Sequence, residues 1–345
     1  MVRVGVNGFG TIGKRIAEAI AAQDDMKLVG VAKTKPDYEA LIARSRGYDI
    51  YVAGSKPEDF EERGIKVKGT LDDLLRSVDV IVDATPGGVG EKYKPIYAER
   101  GVRAVFQGGE KARVAEISFN SFCNYEEALG KSSIRVVSCN TTGLLRLLCT
   151  VARAFGLEKA RAFIVRRGAD PKEHARGPIN SIVLDPPQVP SHHGLDVKSV
   201  MPGIDIVTAA IAVPTTLMHT HHVTLKLKRR VEKRDLVELF LETPRILVVS
   251  SEATSIISTG QLVEFFRDYG RRRYDVPELI VWEESIWVDG DEVSLTQSVH
   301  QESIVVPENV DAVRASTRLE VSAAASIEKT DRALGLKRGY LHEIA

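Results

Sequence analysis

A short apolar run, Val2-Arg3-Val4-Gly5-Val6, passes through Asn7 straight into Gly8-Phe9-Gly10-Thr11-Ile12-Gly13. Thr11 to Ala22 then sets Ile12, Ile16, Ala19 and Ile20 on one helical face. A glycine turn between a strand and a helix narrows the fold sharply. Gly8 permits the tight turn, Gly10 lets the backbone approach a pyrophosphate, and Gly13 lets helix and strand pack closely. The amides of Gly10, Thr11 and Ile12 then face phosphate at the positive end of the helix. This pattern predicts a dinucleotide-binding unit built on a doubly wound parallel sheet.

The rest of the N-terminal half keeps the same rhythm. Lys27 to Ala32, Val78 to Asp83, Arg103 to Phe106 and Ile134 to Val137 are further Val- and Ile-rich strands, and Thr70 caps a short helix, Leu71 to Arg76. After Thr142 a helix through Leu144, Leu145, Leu147, Leu148, Val151 and Ala154 carries the chain into a second domain. There Ala162 to Arg166, His222 to Leu227, Arg245 to Val249, Glu278 to Val281 and Glu292 to Ser298 read as strands of a largely antiparallel sheet. Gly177 to Met201 bears His192 and His193 among Pro178, Pro186, Pro187 and Pro190. It is too irregular for a helix or a strand and reads as a long functional loop. From Val310 an Ala- and Arg-rich helical pattern packs back on the first domain. The expected class is α/β: a Rossmann domain of residues 1–138 with about 303–345, and an α+β catalytic domain of 139–302.

A chain of 345 residues supports two ordinary domains. Lys+Arg and Asp+Glu both total 47, so no global field draws the protein to nucleic acid or to an acidic membrane. No apolar run reaches the roughly 18 residues of a membrane span, Met1 leads directly into the first strand, and a cytoplasmic location is expected. Scarce Asn and Gln beside plentiful Arg, Glu, Val and Ile suggest a thermophilic source. The three cysteines, Cys123, Cys139 and Cys149, fit neither a secreted disulfide scaffold nor a zinc spacing. Cys123 and Cys149 could pair across the segment that holds Cys139, or stay as two buried thiols.

At the end of the second strand, where an acidic residue usually bonds the adenine ribose, stand Lys33 and Thr34. A cation and a hydroxyl suit the 2'-phosphate of NADP, so NADP is expected to be preferred and NAD tolerated. Ser138-Cys139-Asn140-Thr141-Thr142 ends the last parallel strand and opens a helix. A thiol there feels the positive end of the dipole, which predicts a lowered pKa. Its addition to an aldehyde gives a hemithioacetal whose alkoxide the Cys139 amide and the Asn140 side chain can hold. Hydride loss calls for a base near neutrality, and histidine is the natural candidate. In Met218-His219-Thr220-His221-His222, strand alternation puts His219 and His221 on one face. His219 is the favoured base, His221 its rival, and no carboxylate or cysteine close in sequence supports a metal site there. Arg166-Arg167-Gly168-Ala169-Asp170-Pro171 offers two cations suited to phosphate oxygens, and Ser191-His192-His193-Gly194 lies in the long loop.

Taken together, these residues resemble the archaeal-type, phosphorylating glyceraldehyde-3-phosphate dehydrogenases over essentially the whole length. The resemblance is carried by Asn7 to Gly13, Gln107-Gly108-Gly109-Glu110, Ser138 to Thr142, Arg166 to Pro171, Ser191 to Gly194, Leu217 to His221, and His300-Gln301-Glu302. It implies Cys139 as nucleophile and His219 as base. It further implies that Thr11, Ile12, Gly109, Arg167 and Gln301 surround the nicotinamide cofactor, that Ser138, Asn140, Thr141, His192 and His193 meet the substrate, and that Arg166 and Arg167 lie near its phosphates. A homotetramer is implied as well. The chain departs from the bacterial and eukaryotic branch, which follows its cysteine with Thr-Thr-Asn and draws its histidine from about one strand downstream, a place held here by Arg166 and Arg167. The expected reaction converts D-glyceraldehyde 3-phosphate to 1,3-bisphosphoglycerate through a thioester that inorganic phosphate cleaves, in either direction. Two alternatives stand beside it. Aspartate-semialdehyde dehydrogenase shares the mechanism but takes a substrate with a carboxylate and an amine, and its glycine loop usually carries an extra residue. A non-catalytic nucleotide- or RNA-binding protein would share only the fold, and no basic stripe interleaved with aromatics supports it.

Overall fold

The computed structural model describes residues 1–107, 109–175 and 177–344, so Gly108 of the Gln107 to Glu110 motif lies outside the described residues. The chain forms two compact units, Met1–Ser138 with Val305–Gly335, and Cys139–Ile304 with Leu336–Ala345.

The first unit holds strands β1 (Val2–Asn7), β2 (Met26–Lys33), β3 (Ile50–Val52), β4 (Gly69–Thr70), β5 (Val80–Asp83), β6 (Arg103–Phe106), β7 (Ile117–Phe119) and β8 (Ser133–Val136). All pair in parallel, in the order β4-β3-β2-β1-β5-β6-β8-β7. A parallel sheet is covered on both faces, which is why Val4, Val6, Val80, Ile81 and Val82 are all fully buried. The short strands β3, β4 and β7 escape a sequence reading because two or three residues show no periodicity. Chain direction across the sheet reverses between β1 and β5, and Gly8 sits at the carboxyl end of β1 beside that reversal, where open α/β sheets bind ligands. Gly8 takes a φ of 95°, and a Cβ on Gly13 would lie 1.8 Å from Gly8 O, so both positions require glycine.

The helices Val306–Thr317 and Ala323–Leu334 return to this unit through buried polar contacts as well as apolar ones. Ser121 N donates to Glu308 at 2.7 Å and Ser121 Oγ to Asp311 at 2.8 Å. The fully buried Arg314 donates to Asp25 at 2.8 and 3.0 Å and to Gln23 at 2.7 Å.

The second unit holds β9 (Leu157–Arg167), β10 (Val183–Leu184), β11 (Asp205–Val213), β12 (His219–Leu227), β13 (Ile246–Val249), β14 (Leu279–Trp282), β15 (Trp287–Asp289), β16 (Glu292–Val299) and β17 (Gly339–Tyr340). The order is β10-β11-β9-β12-β16-β14-β13-β17, with β15 on β16. β11 runs parallel to β9, and β13 parallel to β14 and β17; the remaining pairs are antiparallel, as the texture of the sequence suggests. The sequence reading missed β11, whose Ala-rich Thr208-Ala209-Ala210-Ile211-Ala212 lacks the bulk that marks strands.

Two expectations are corrected. The stretch 177–201 is not wholly irregular. Beyond Pro190 the helix His192–Lys198 forms, tied to β11 by Ser191 Oγ and Gly194 N, which meet Thr208 Oγ1 at 2.7 and 2.9 Å. The end of the chain, 336–345, belongs with the second unit because β17 pairs with β13. Among the described residues no helix is long and apolar enough to cross a membrane.

Gly13→Val forces main-chain movement at the loop. It is expected to cost about 3 kcal/mol and to weaken dinucleotide binding, measured by thermal unfolding and by fluorescence titration with NADPH and NADH. Unchanged values in both would refute this account of the turn.

Candidate active site

In the first unit the helix opens at Gly13, and Lys14 N bonds Gly10 O at 3.1 Å. A Cβ on Gly10 would meet nothing nearer than Glu39 Oε2 at 4.0 Å among the described residues, so the backbone is bare where a pyrophosphate would lie. Gly109 is exposed, and a Cβ on its neighbour Gly87 would stand 3.1 Å from Gly109 O. Glu110, to which the sequence assigned no role, accepts from Gly88 N at 2.8 Å and Gly90 N at 2.9 Å and so holds that glycine turn in place.

Lys33, at the end of β2, is buried and paired with carboxylates. It is 7% exposed, and its Nζ lies 2.9 Å from Asp37 and 3.1 Å from Glu39; Lys14 is 3.6 Å from the same Glu39. A 2'-phosphate on Lys33 would compete with two carboxylates, which weakens the expected ground for preferring NADP. Thr34 beside it is exposed.

Cys139 opens the helix Cys139–Phe155 of the second unit and is the free cysteine; Cys123 and Cys149 are each disulfide-bonded. Leu144, Leu145, Leu147, Leu148 and Val151 are fully buried, and a Cβ on Gly143 would fall 2.6 Å from Val299 Cγ2. Glycine there lets the first turn close on β16. The expected low thiol pKa is corrected by the structure. Burial pushes the Cys139 thiol above the ordinary cysteine range, although Arg167, Arg166 and the Asn140 amide pull the other way. The guanidiniums therefore limit the cost of a thiolate without overcoming its desolvation.

His219 and His221 sit on the buried face of β12, as alternation predicts. His219 Nδ1 accepts from the Arg167 backbone N–H at 2.9 Å, so the neutral ring carries its hydrogen on Nε2. Burial, then Arg167, His221, Arg166 and His193, hold this ring well below the ordinary histidine range. That is the donor form, not the proton acceptor expected from the sequence. His221 has both nitrogens engaged, Nε2 with Asn140 Oδ1 at 2.9 Å and Nδ1 with Gln297 Nε2 at 3.0 Å, which removes it as a rival base.

His193 is 2% exposed, and neither ring nitrogen has a partner among the described residues; burial, with His192, Arg166 and His221, brings it to about 2. His192 lies against it with ring centroids 4.0 Å apart and the planes tilted by 40°. Arg166 pairs with Asp185, and Arg167 with Asp170 and Glu302. Gln301 Nε2 donates to the same Glu302 at 2.9 Å. Thr141 is buried and its Oγ1 donates to Asp196 at 2.7 Å, a tie to the helix His192–Lys198. Ser138 ends the first unit immediately before the thiol. Among the described residues no group of three His, Cys, Asp or Glu is arranged to hold a metal ion.

Sequence reasoning missed Gln297, Asp185 and Asp196. Only Gln297 left a signal: it is the one polar residue in the inward series Val293, Leu295, Gln297, Val299 of β16.

Residues 138–271 match the family described as glyceraldehyde 3-phosphate dehydrogenase, C-terminal domain, and residues 2–118 that described as dihydrodipicolinate reductase, N-terminus. A glyceraldehyde-3-phosphate dehydrogenase of Aeropyrum pernix is 61% identical over 98% of this chain and 98% of its own. Those of Hyperthermus butylicus and Sulfurisphaera tokodaii are 59% and 56% identical, each over 99% of both chains. A solved structure of aspartate semialdehyde dehydrogenase II from Vibrio cholerae, complexed with ASA, superposes with a TM-score of 0.60 at 13% identity over 97% of this chain and 98% of that one, a likeness of fold alone. With identity above half along nearly the whole length, the chain belongs to the glyceraldehyde-3-phosphate dehydrogenase family.

Proposed function

We propose that the chain oxidises D-glyceraldehyde 3-phosphate to 1,3-bisphosphoglycerate, with inorganic phosphate and a nicotinamide dinucleotide, through a thioester on Cys139. The observation that supports this most is a free thiol at the start of a buried helix, under the influence of Arg166 and Arg167, in a chain of this family.

Gly8, Gly10, Thr11, Ile12, Gly13 and Gly109 would hold the dinucleotide, and Arg167 and Gln301 are further cofactor contacts that the family likeness implies. When bound, its nicotinamide ring supplies the hydride acceptor. Cys139 first releases its proton to solvent. The sulfur then adds to the aldehyde carbon, and the carbonyl π pair becomes an alkoxide. The Cys139 N–H, the Asn140 amide and the His219 Nε2–H donate to that oxygen. Departure of hydride from the carbon restores the C=O bond and leaves a thioester. A phosphate oxygen next adds to the thioester carbon, the C–S bond breaks, the sulfur departs as thiolate, and the phosphate proton passes to solvent. Because attack begins from thiolate, no histidine has to accept a proton. Arg166, His192, His193 and Ser138 bind the substrate, with Arg166 exchanging Asp185 for phosphate.

Both dinucleotides are accepted in this reading, and the preference for NADP rests on Lys33 and Thr34 set against Asp37 and Glu39. The protein works in the cytoplasm as a homotetramer. In support, the β9 face turned away from the Cys139 helix leaves Phe163 43% exposed, and Ile179, Leu184 and Trp287 are also exposed apolar side chains that further copies would cover.

Reduction of NADP and NAD followed by absorbance should require both glyceraldehyde 3-phosphate and inorganic phosphate, and Cys139→Ser should abolish it by at least about 10³-fold. Activity surviving in that variant refutes the thioester route. Iodoacetamide alkylation of the cofactor-free protein reads the thiol directly, because Cys139 is the free cysteine. Since burial raises its pKa, the thiolate fraction and the rate should climb with pH, with a midpoint above that of an ordinary cysteine. A rate already level at pH 7 contradicts the burial argument. Glu39→Gln with Asp37→Asn, by removing both carboxylates that hold Lys33, should raise the NADP to NAD ratio of kcat/KM about tenfold, the effect of roughly 1.4 kcal/mol; an unmoved ratio excludes Lys33 as the selector.

A further inference from the structure

The donor side of the reacting oxygen depends on a side chain that can face either way. Asn140 carries an amide with one acceptor end and one donor end, and only the donor end stabilises an alkoxide. Something must decide which end is presented.

Gln297 Nε2 lies 3.0 Å from His221 Nδ1, and His221 Nε2 lies 2.9 Å from Asn140 Oδ1. An amide nitrogen only donates, so His221 Nδ1 accepts and its hydrogen resides on Nε2, from which it donates to the Asn140 oxygen. The three groups form one chain of bonds running in one direction. His221 and Gln297 are opposed residues of β12 and β16, both fully buried, and Asn140 is 2% exposed. Burial brings the ring to about 3, so it stays neutral at working pH and keeps this tautomer. Among the described residues nothing accepts from Asn140 Nδ2. The close approach has its own provision, because a Cβ on Gly143, one turn into the same helix, would stand 3.7 Å from His221 Cε1 and collide with Val299.

We infer that His221 and Gln297 are positioning residues that clamp the Asn140 oxygen and so present its NH2 to the oxygen of the hemithioacetal, an assignment that rests on the thioester reading above. Without the His221 proton the amide is free to turn its carbonyl toward the alkoxide, which repels it. A buried histidine with a purely architectural role would have no such link to Asn140.

The test is a double-mutant cycle in kcat, with thermal unfolding recorded for each variant. His221→Phe keeps a planar ring at this place and removes the donor; it should lower kcat about 10- to 100-fold while moving KM for the substrate less than about threefold. His221→Gln, which restores a nitrogen donor near the Nε2 position, should recover most of the rate. In Asn140→Ala, itself slowed, adding His221→Phe should cost nothing further. Equal losses from His221→Phe in both backgrounds, a His221→Gln as slow as His221→Phe, or an unimpaired Asn140→Ala would each overturn the assignment while leaving the thioester route standing. Full activity in Cys139→Ser would instead remove that route, and this role with it.

Discussion

The register of β12 between β9 and β16 is the constraint on which the site depends. His219 lies opposite Val299, and His221 lies opposite Ile164 on one side and Gln297 on the other. Side chains alternate along a strand, so a slip of one residue would bury Thr220 and His222 and turn His219 and His221 outward. The buried series Val223, Leu225 and Leu227 further along β12 guards against that slip, because the same shift would expose all three. Core packing at one end of the strand thus sets the chemistry at the other.

A second regularity is electrostatic. Each cation expected to meet an anionic ligand already has a carboxylate: Arg166 has Asp185, Arg167 has Asp170 and Glu302, and Lys33 has Asp37 and Glu39. Pairing lets buried guanidinium and ammonium groups keep their charge without water. It also means that phosphate binding is an exchange of anions, with a net gain smaller than the raw attraction. Cys139 follows the same logic in reverse, since two nearby cations do not fully offset the loss of water around its sulfur.

Much of this was legible in the sequence because period and spacing carry it. The glycine loop after β1, the alternation of His219 and His221, and Cys139 at the start of a helix each follow from local rules. What escaped was set by tertiary contacts. The back-bond from Arg167 to His219, the tie of Thr141 to Asp196 and the sign of the thiol shift depend on residues far away in the chain or on depth of burial. β11 escaped because its alanines carry little strand signal; they gain their order from lying against β9.

The first unit is discontinuous in sequence, and this bears on how the protein is made. Asp25, Gln23 and Ser121 leave the ribosome early, yet their partners Arg314, Glu308 and Asp311 follow only after the whole second-unit segment 139–304. The nascent nucleotide-binding sheet therefore waits, one flank uncovered and its polar groups solvated, while the whole of 139–304 is translated. Folding cannot proceed strictly from the N-terminus, as it does for simple tandem domains. The late segment acts as a clasp, so the earlier unit reaches its final stability only once 305–335 has been made.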